Sequence, residues 1–302
     1  MAGRGGPVTD RQQRLADDYT AVRPRLLRVA YAVLGSWAEA EDVVAECWLR
    51  VVAADAREPV RDVEGWSVVA VARAALDVLR SARSRRESYV GPWLPEPMID
   101  ERPGADPADR VTLDESVGYA MLVVLERLSP AERTAFVLHD VFGVPFSELA
   151  SVVGRSPEAV RQLASRARRR MRDAAPRHDV DPAAHAAVVE RFLGAAVGGD
   201  LGVLIELLDP DVEAVSDGGG KVSAALRPVR GADRVARFLA GLARKNADAE
   251  TSVVRVNGLM GIALRRDGRP DTVISFAVAG GRVTRIHIVR NPDKLAGLGP
   301  TP

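Results

Sequence analysis

The stretch LSPAERTAFVLHDVFGVPFSELASVVGRSPEAVRQLASRARRRM, residues 128–171, decides how the middle of this chain folds. Ser129-Pro130-Ala131-Glu132 has the spacing of a capping box, with Pro at the first helical position, where its missing N–H costs nothing. It predicts a helix through Phe136 and Leu138. A short helix over 146–153 stops at Gly154; Ser156 then caps, Pro157 opens a longer helix, and this runs to about Met171. A short helix, a turn with glycine and a longer helix make the helix-turn-helix pattern. In the last helix Val160, Leu163, Ala167 and Met171 recur at helical spacing and point inward, leaving Glu158, Arg161, Gln162, Ser165 and Arg169 on an outward face. Residues 155–172 carry seven arginines, the first of them Arg155, against one glutamate. Arg and Gln suit bidentate contacts with guanine and adenine edges in a major groove. Arg166, Arg168, Arg170 and Arg172 are better suited to phosphates, which position without specifying. The expectation is a DNA-reading helix; a merely solvated basic helix is the other reading of the same charges.

Upstream, 11–84 reads as mostly helical, with apolar recurrence at Leu26, Leu27, Ala30 and Tyr31. A helix over 39–52 has the apolar stripe Ala40, Val43, Val44, Cys47, Trp48, Val51, while Glu39, Asp42 and Glu46 fall on a different face. A third helix, over about 63–83, turns Val69, Ala72, Leu76 and Leu79 inward and ends in Arg80, Arg83, Arg85 and Arg86, by charge alone a surface patch. From 88 to about 112 the periodicity stops, because Pro92, Pro95, Pro97, Pro103 and Pro107 forbid a long helix. This reads as a linker, semi-rigid near 92–97 and acidic beyond. Trp93-Leu94 is unusual there, since an apolar pair costs solubility unless it docks on something.

Beyond Pro176 the character changes. Residues 182–197 and 200–208 read as helical, followed by Gly218-Gly219-Gly220 and a helix near 231–244. Alternating segments at 251–256, 260–265 and 272–278 and a last strand at 282–289 follow, with Asp267-Gly268 and Gly280-Gly281 where hairpin turns belong. Helices first and a multistranded antiparallel sheet afterwards imply an α+β domain. Asp209, Asp211 and Asp217 read as lying near loops.

The 302 residues, 47% apolar and 27% charged, fit a folded chain of two or three domains. No window approaches the roughly 18 apolar residues needed to span a bilayer, and 1–10 shows no secretory signal, so a cytoplasmic protein without membrane attachment is expected. One cysteine excludes an intramolecular disulfide, and neither it nor His139, His178, His185 and His287 show metal-ligand spacing; no metal or cofactor is expected. Cys47, on the apolar stripe, reads as a buried inert thiol. Net charge is +1, so local clusters rather than the global balance point to nucleic acid. All but three of the 42 basic residues are arginines; the lysines are Lys221, Lys245 and Lys294.

EAEDVVAECWLR (39–50), GWSVVAVARAALDVLRSARSRRE (65–87) and the opening stretch resemble, in order and spacing, bacterial sigma factors of the extracytoplasmic-function (ECF) group. The first two blocks are similar to the sigma-2 domain and the last to sigma-4. The linker Tyr89 to Pro97, with Trp93, Leu94 and Pro95, resembles that of the ECF subgroup carrying a C-terminal SnoaL-like domain. So do Asp217-Gly218-Gly219-Gly220-Lys221 and Asn291-Pro292-Asp293-Lys294-Leu295.

This resemblance implies all-α sigma-2 (11–87) and sigma-4 (113–175) domains behind a disordered 1–10. They are joined by the linker 88–112 and followed by a cone-shaped α+β SnoaL/NTF2-like domain at 179–296 and a tail at 297–302. It implies core RNA polymerase, through its β′ and β subunits, and promoter DNA as partners. The acidic face with Trp48 would hold the β′ clamp helices. Arg73, Asp77, Arg80 and Arg83, with Arg85 and Arg86, would engage the minus-ten element, and the 157–170 helix the minus-35 element. Ala45 and Ala74 depart from the Gln and Asn that many members carry. The three linker and C-terminal motifs would regulate in cis.

The C-terminal domain has no Tyr, Cys or Trp and no evident acid–base pair, so no enzyme is expected, while a small-molecule ligand in its concavity stays open. Lys221 reads as pairing with an acidic neighbour. The alternative is a helix-turn-helix regulator with a ligand-sensing C-terminal domain that acts without joining polymerase; the 39–50 helix, which such a regulator would not need, separates the two.

Overall fold

A computed structural model describes residues 7–99, 118–174 and 181–298, with backbone alone at 7–9, 82–87 and 174. The chain divides into two compact units. One holds Met1–Arg83, Val111–Ser116 and Leu128–Arg170; the other holds Ser84–Arg110, Val117–Arg127 and Met171–Pro302.

In the first unit, α1 (Pro7–Leu34) lies along α2 (Trp37–Arg57), and α3 (Val63–Glu87) follows. Helix α1 begins at Pro7, inside the stretch expected to be disordered. Ser36 caps α2 by accepting from Glu39 N. The stripe of α2 is buried at Ala40, Val43, Val44, Cys47 and Val51, and Tyr19 Oη donates to Val44 O at 2.6 Å. In α3, Ala72, Leu76 and Leu79 are buried as the period predicts, whereas Val69 is only half-buried. Past α4, which belongs to the other unit, α5 (Pro130–Phe136) opens on the expected capping box and runs into a π-helical turn, Val137–Val141. Helix α6 (Phe146–Val153) ends at Gly154 in the left-handed conformation, and α7 (Pro157–Ala174) follows. The guanidinium of Arg133, fully buried, donates to Ala32 O near the end of α1, where carbonyls lack helical partners.

The second unit is built on a six-stranded sheet in the order β2-β1-β6-β5-β4-β3. Helices α8 (Pro182–Gly198) and α9 (Leu201–Leu207) lead into β1 (Leu208–Asp217), β2 (Val229–Arg230) and α10 (Ala232–Lys245). Then come β3 (Glu250–Val256), β4 (Leu259–Arg266), β5 (Arg269–Ala279), β6 (Arg282–Val289) and the short α11 (Pro292–Leu295). Asp267-Gly268 and Gly280-Gly281 all have positive φ, as tight hairpin turns require. Two expectations are corrected. The sheet is mixed, because β1 pairs with β6 in parallel. Asp209 and Asp211 lie within β1 rather than near loops, whereas Asp217 ends the strand beside the Gly218–Gly220 turn, as expected.

Alternation along the strands sends residues to two cores. Val212, Ala214, Ile274, Phe276, Ile286 and Ile288 pack with Val189 and Phe192 of α8, Leu204 and Leu207 of α9, and Val235 and Ala236 of α10. The opposite face carries Val254, Val256, Ala263, Val273 and Val289, covered by Leu94, Ile99, Tyr119, Leu295 and Leu298. Thus α4 (Tyr119–Leu125), expected within the helix-turn-helix domain, groups instead with the C-terminal unit; Tyr119 Oη donates to Pro95 O at 2.7 Å. Leu298, expected in a tail, is buried. Met98 and Ile99 bond to the exposed edge of β3 and its turn, through Asn257 N to Met98 O at 2.8 Å and an isolated bridge from Ile99 to Val256. The linker beyond Ile99 and the segment up to 117 lie outside the described residues.

Candidate functional site

Helix α7 buries Val160, Leu163, Ala167 and Met171 and exposes Glu158, Arg161, Gln162, Ser165, Arg166 and Arg169; Arg155, before it, is also exposed. Ser156 Oγ accepts from Ala159 N at 3.3 Å, holding the entry turn. Glu158, in the first turn, is held below the usual carboxylate range by its own backbone N–H and by Ser156. Arg161 lies over the Phe146 ring, 5.2 Å from its centroid, so α6 orients the guanidinium. The structure parts from the sequence reading at the arginines expected on phosphates. Arg170 pairs with the buried Glu132 at 2.8 Å, Arg166 approaches the same carboxylate at 3.6 Å, and Arg168 pairs with Asp140 at 2.6 Å. Burial raises the Glu132 carboxyl, but the Ser129 hydroxyl and backbone together with Arg170 and Arg166 outweigh it and hold the group low. These three arginines therefore fasten α7 to α5 and the π-helical turn that continues it.

On α2, Asp42 and Glu46 are exposed and Glu39 is half-buried; Glu46 pairs with Arg50 at 2.7 Å. Trp48 is half-buried against Tyr19, ring centroids 5.1 Å apart. The neighbouring Leu49 is 67% exposed, an apolar addition to this face that periodicity alone did not single out. Burial pushes the Cys47 thiol up, as expected of an inert core thiol. On α3, Arg73, Asp77 and Arg80 are exposed; Arg73 donates to Ser151 O at 2.9 Å and Arg80 to Asp77 at 3.3 Å. The side chains of Arg83, Arg85 and Arg86 lie outside the described residues.

The linker and C-terminal motifs, far apart in sequence, meet at Asp217. This carboxylate, fully buried, closes the end of β1. Its Oδ1 accepts from Tyr89 Oη at 2.5 Å and Gly219 N at 3.0 Å; its Oδ2 accepts from Leu94 N at 2.8 Å and Lys294 Nζ at 2.6 Å. Lys294 also donates to Leu94 O and lies over the Trp93 ring, 3.9 Å from its centroid. Asn291 Nδ2 donates to Tyr89 Oη at 2.8 Å, and its Oδ1 caps α11 by accepting from Asp293 N at 3.1 Å. Burial, followed by the Asp217 charge, pushes the Tyr89 phenol up, so it stays a donor. Lys221 finds its acid in Asp293, with Nζ–O 2.6 Å. Gly219 and Gly220 take φ of 63° and 70°, and a side chain at Gly219 would meet Asn291 Nδ2 at 2.5 Å. Leu94, Pro95 and Leu295 are buried; Trp93 is half-buried, and Pro292 opens α11 at its first turn. The sequence offered Tyr89 and Asp217 only as parts of motifs; their direct bond is a tertiary fact.

His185 and His287 lie on opposite faces of the same sheet. His185 Nε2 is 3.0 Å from Phe276 O, and burial lowers its pKa. His287 is wholly enclosed beside Tyr119, and burial followed by the Arg285 charge pushes its pKa down to about 3. No helix among the described residues is long and apolar enough to cross a membrane.

Comparison with known proteins counts α4 with the helix-turn-helix region, although its contacts group it with the C-terminal unit. Residues 19–85 match sigma-70 region 2, and residues 119–171 match sigma-70, region 4. The ECF RNA polymerase sigma factor SigJ of Mycobacterium tuberculosis is 41% identical over 93% of this chain and 93% of its own length. The probable ECF sigma factor SigI of the same species is 35% identical, again over 93% of this chain, covering 94% of its own length. The crystal structure of M. tuberculosis SigJ superposes with a TM-score of 0.77 at 38% identity, over 94% of this chain and all of that one. Two helical sigma regions followed by a mixed-sheet domain, shared along nearly the whole length with SigJ, mean that this chain belongs to the ECF RNA polymerase sigma factors.

Proposed function

We propose that this sigma factor joins core RNA polymerase through the exposed face of α2 and directs it to promoters. In this reading Asp42, Glu46 and Glu39, with Trp48 and the exposed Leu49, contact the polymerase β′ subunit, and further sigma surface meets β. The polar face of α3 engages the minus-ten element. Arg155, Glu158, Arg161, Gln162, Ser165 and Arg169 read the minus-35 element, with Arg166 and Arg168 holding α7 in place beside the phosphates. The C-terminal domain is regulatory rather than catalytic: it grips the linker that precedes the DNA-reading helices. The observation that carries this is the buried Asp217 carboxylate, which joins Tyr89, Leu94 and Lys294 in one network. A fixed linker restricts how the two promoter-reading regions are presented, and a released one frees them.

The test is transcription from a cognate promoter by core polymerase plus the full chain, beside Asp217→Asn and Trp93→Ala variants at matched concentration. The reading expects promoter-dependent initiation with the full chain and an altered level with both variants. Initiation that is absent removes the sigma role; identical levels in all three remove the regulatory one.

A further inference from the structure

The face of the sheet opposite the linker holds a cavity of about 300 Å³, at the small end of the range typical of ligand sites. It opens between the ends of β1 and β6, helix α10 and residues 223–225. Its apolar wall is Phe238, Leu242 and Ile288; its polar groups are Ser216, Ser223, Arg237, Lys245 and Arg290, and no Asp or Glu lines it. The cations are not equivalent. Arg237 carries Asp233 as its partner at 2.9 Å, and Arg290 carries Asp271 at 3.2 Å. Lys245 has no hydrogen bond or ion pair among the described residues, so one positive charge beside the cavity is uncompensated. Ser216 is 2% exposed, and its hydroxyl makes no hydrogen bond among the described residues. Because Ser216 lines the cavity, this hydroxyl is available to donate to a ligand oxygen.

We propose that this cavity binds a small amphipathic monocarboxylate, its carboxylate at Lys245 and Ser216 and its hydrocarbon against Phe238, Leu242 and Ile288. A single negative charge matches the one cation left unpaired, which favours a monocarboxylate over a doubly charged phosphate ester. The site is also placed to act on the linker, a part of the inference that rests on the regulatory reading above. Alternation makes Ser216 face the cavity and its neighbour Asp217 face the linker; Arg290 faces the cavity and Asn291 binds Tyr89. The two strand ends are joined between these pairs, Arg290 N donating to Asp217 O at 2.7 Å. A ligand that orders these ends on one side stabilises the linker contacts on the other.

The experiment is calorimetric titration of the full chain with octanoate, octanol and octylamine. Octanoate binds at least about tenfold more tightly than octanol, the factor expected of one hydrogen-bonded charge, and octylamine more weakly still. Lys245→Met removes about tenfold of the octanoate affinity and leaves octanol unchanged; Ser216→Ala weakens octanoate several-fold. Equal binding of octanoate and octanol, or octanoate binding indifferent to Lys245→Met, overturns the site and leaves Lys245 as a cation that only complements the end of α10. In parallel, hydrogen exchange at the Leu94 amide slows when octanoate is bound. Exchange that does not slow while octanoate binds overturns the coupling. If octanoate fails to bind while Asp217→Asn still alters promoter activity, the ligand site falls and the regulatory reading stands.

Discussion

Asp217→Asn tests the linker network at its centre. The substitution keeps the shape of the side chain and exchanges one acceptor oxygen for a donor. Four donors face the two carboxylate oxygens, from Tyr89, Gly219, Leu94 and Lys294. Only the Tyr89 hydroxyl is free to turn its proton away and accept. The new amide nitrogen therefore takes the Oδ1 place, Gly219 N loses its partner, and Lys294 loses its counter-ion. A hydrogen bond to a charged group contributes roughly 1.5–3 kcal/mol, and breaking a buried pair costs roughly 3–5 kcal/mol. The Lys294 side chain keeps 11% exposure, so the lower end applies, about 3 kcal/mol, or about 100-fold in the opening of the linker. Hydrogen exchange at Leu94 N reads this directly, because that amide donates to Asp217. It should exchange about 100-fold faster while amides in the middle of β5 and β6 keep their protection. Lys294→Met should cost more, since it strands a fully buried carboxylate. The double variant should then cost less than the two single costs together. Unchanged exchange at Leu94 would refute the reasoning. So would uniform acceleration across the domain, which would make Asp217 a determinant of the whole fold rather than of the linker.

Other consequences are separately testable. Arg161→Ala or Gln162→Ala should cost about 1–3 kcal/mol in binding and relax preference at one base position, whereas Arg172→Ala should weaken all sequences alike and lower the salt slope by about 1, both read in promoter-binding titrations. Asp42→Arg with Glu46→Arg should abolish co-elution with core polymerase while circular dichroism stays unchanged. Gly219→Ala should destabilise the turn, because φ is positive and the added carbon would meet Asn291, and proteolysis of the linker should report its release. Acid should unfold the C-terminal domain early. The folded pKa of His287, about 3, lies below its unfolded value near 6.5, so the unfolded state binds the proton first. Its contribution is fully present above about pH 6.5 and falls by roughly 1.4 kcal/mol per pH unit towards pH 3. His287→Phe should flatten that part of the pH–stability profile in denaturant titrations.

Much of the fold was legible in the chain itself. Helix boundaries followed from caps and breakers acting within one turn: the Ser129–Glu132 box, Gly154 and Pro157. The inward faces of α2 and α7 followed from spacing, and the hairpin turns from Asp-Gly and Gly-Gly pairs. The outward polar face of α7 was legible for the same reason, since a residue's side of a helix depends only on its distance from its neighbours.

What depends on distant partners was not. The strand β1 passes through Asp209-Pro210-Asp211, a poor local strand former, and exists because β6 lies parallel beside it. Nothing local distinguishes Arg161, turned outward over Phe146, from Arg168 and Arg170, drawn back to Asp140 and Glu132. The grouping of α4 with the C-terminal domain rests on Tyr119 reaching Pro95. Most of all, the sequence offered three separate motifs around residues 93, 217 and 294. Only the folded chain joins them, because a buried carboxylate is tolerable solely where donors converge on it, and three of its four donors come from residues some 77 to 128 positions away. Periodicity is a property of neighbours and can be read along the chain; the satisfaction of a buried charge is a property of space.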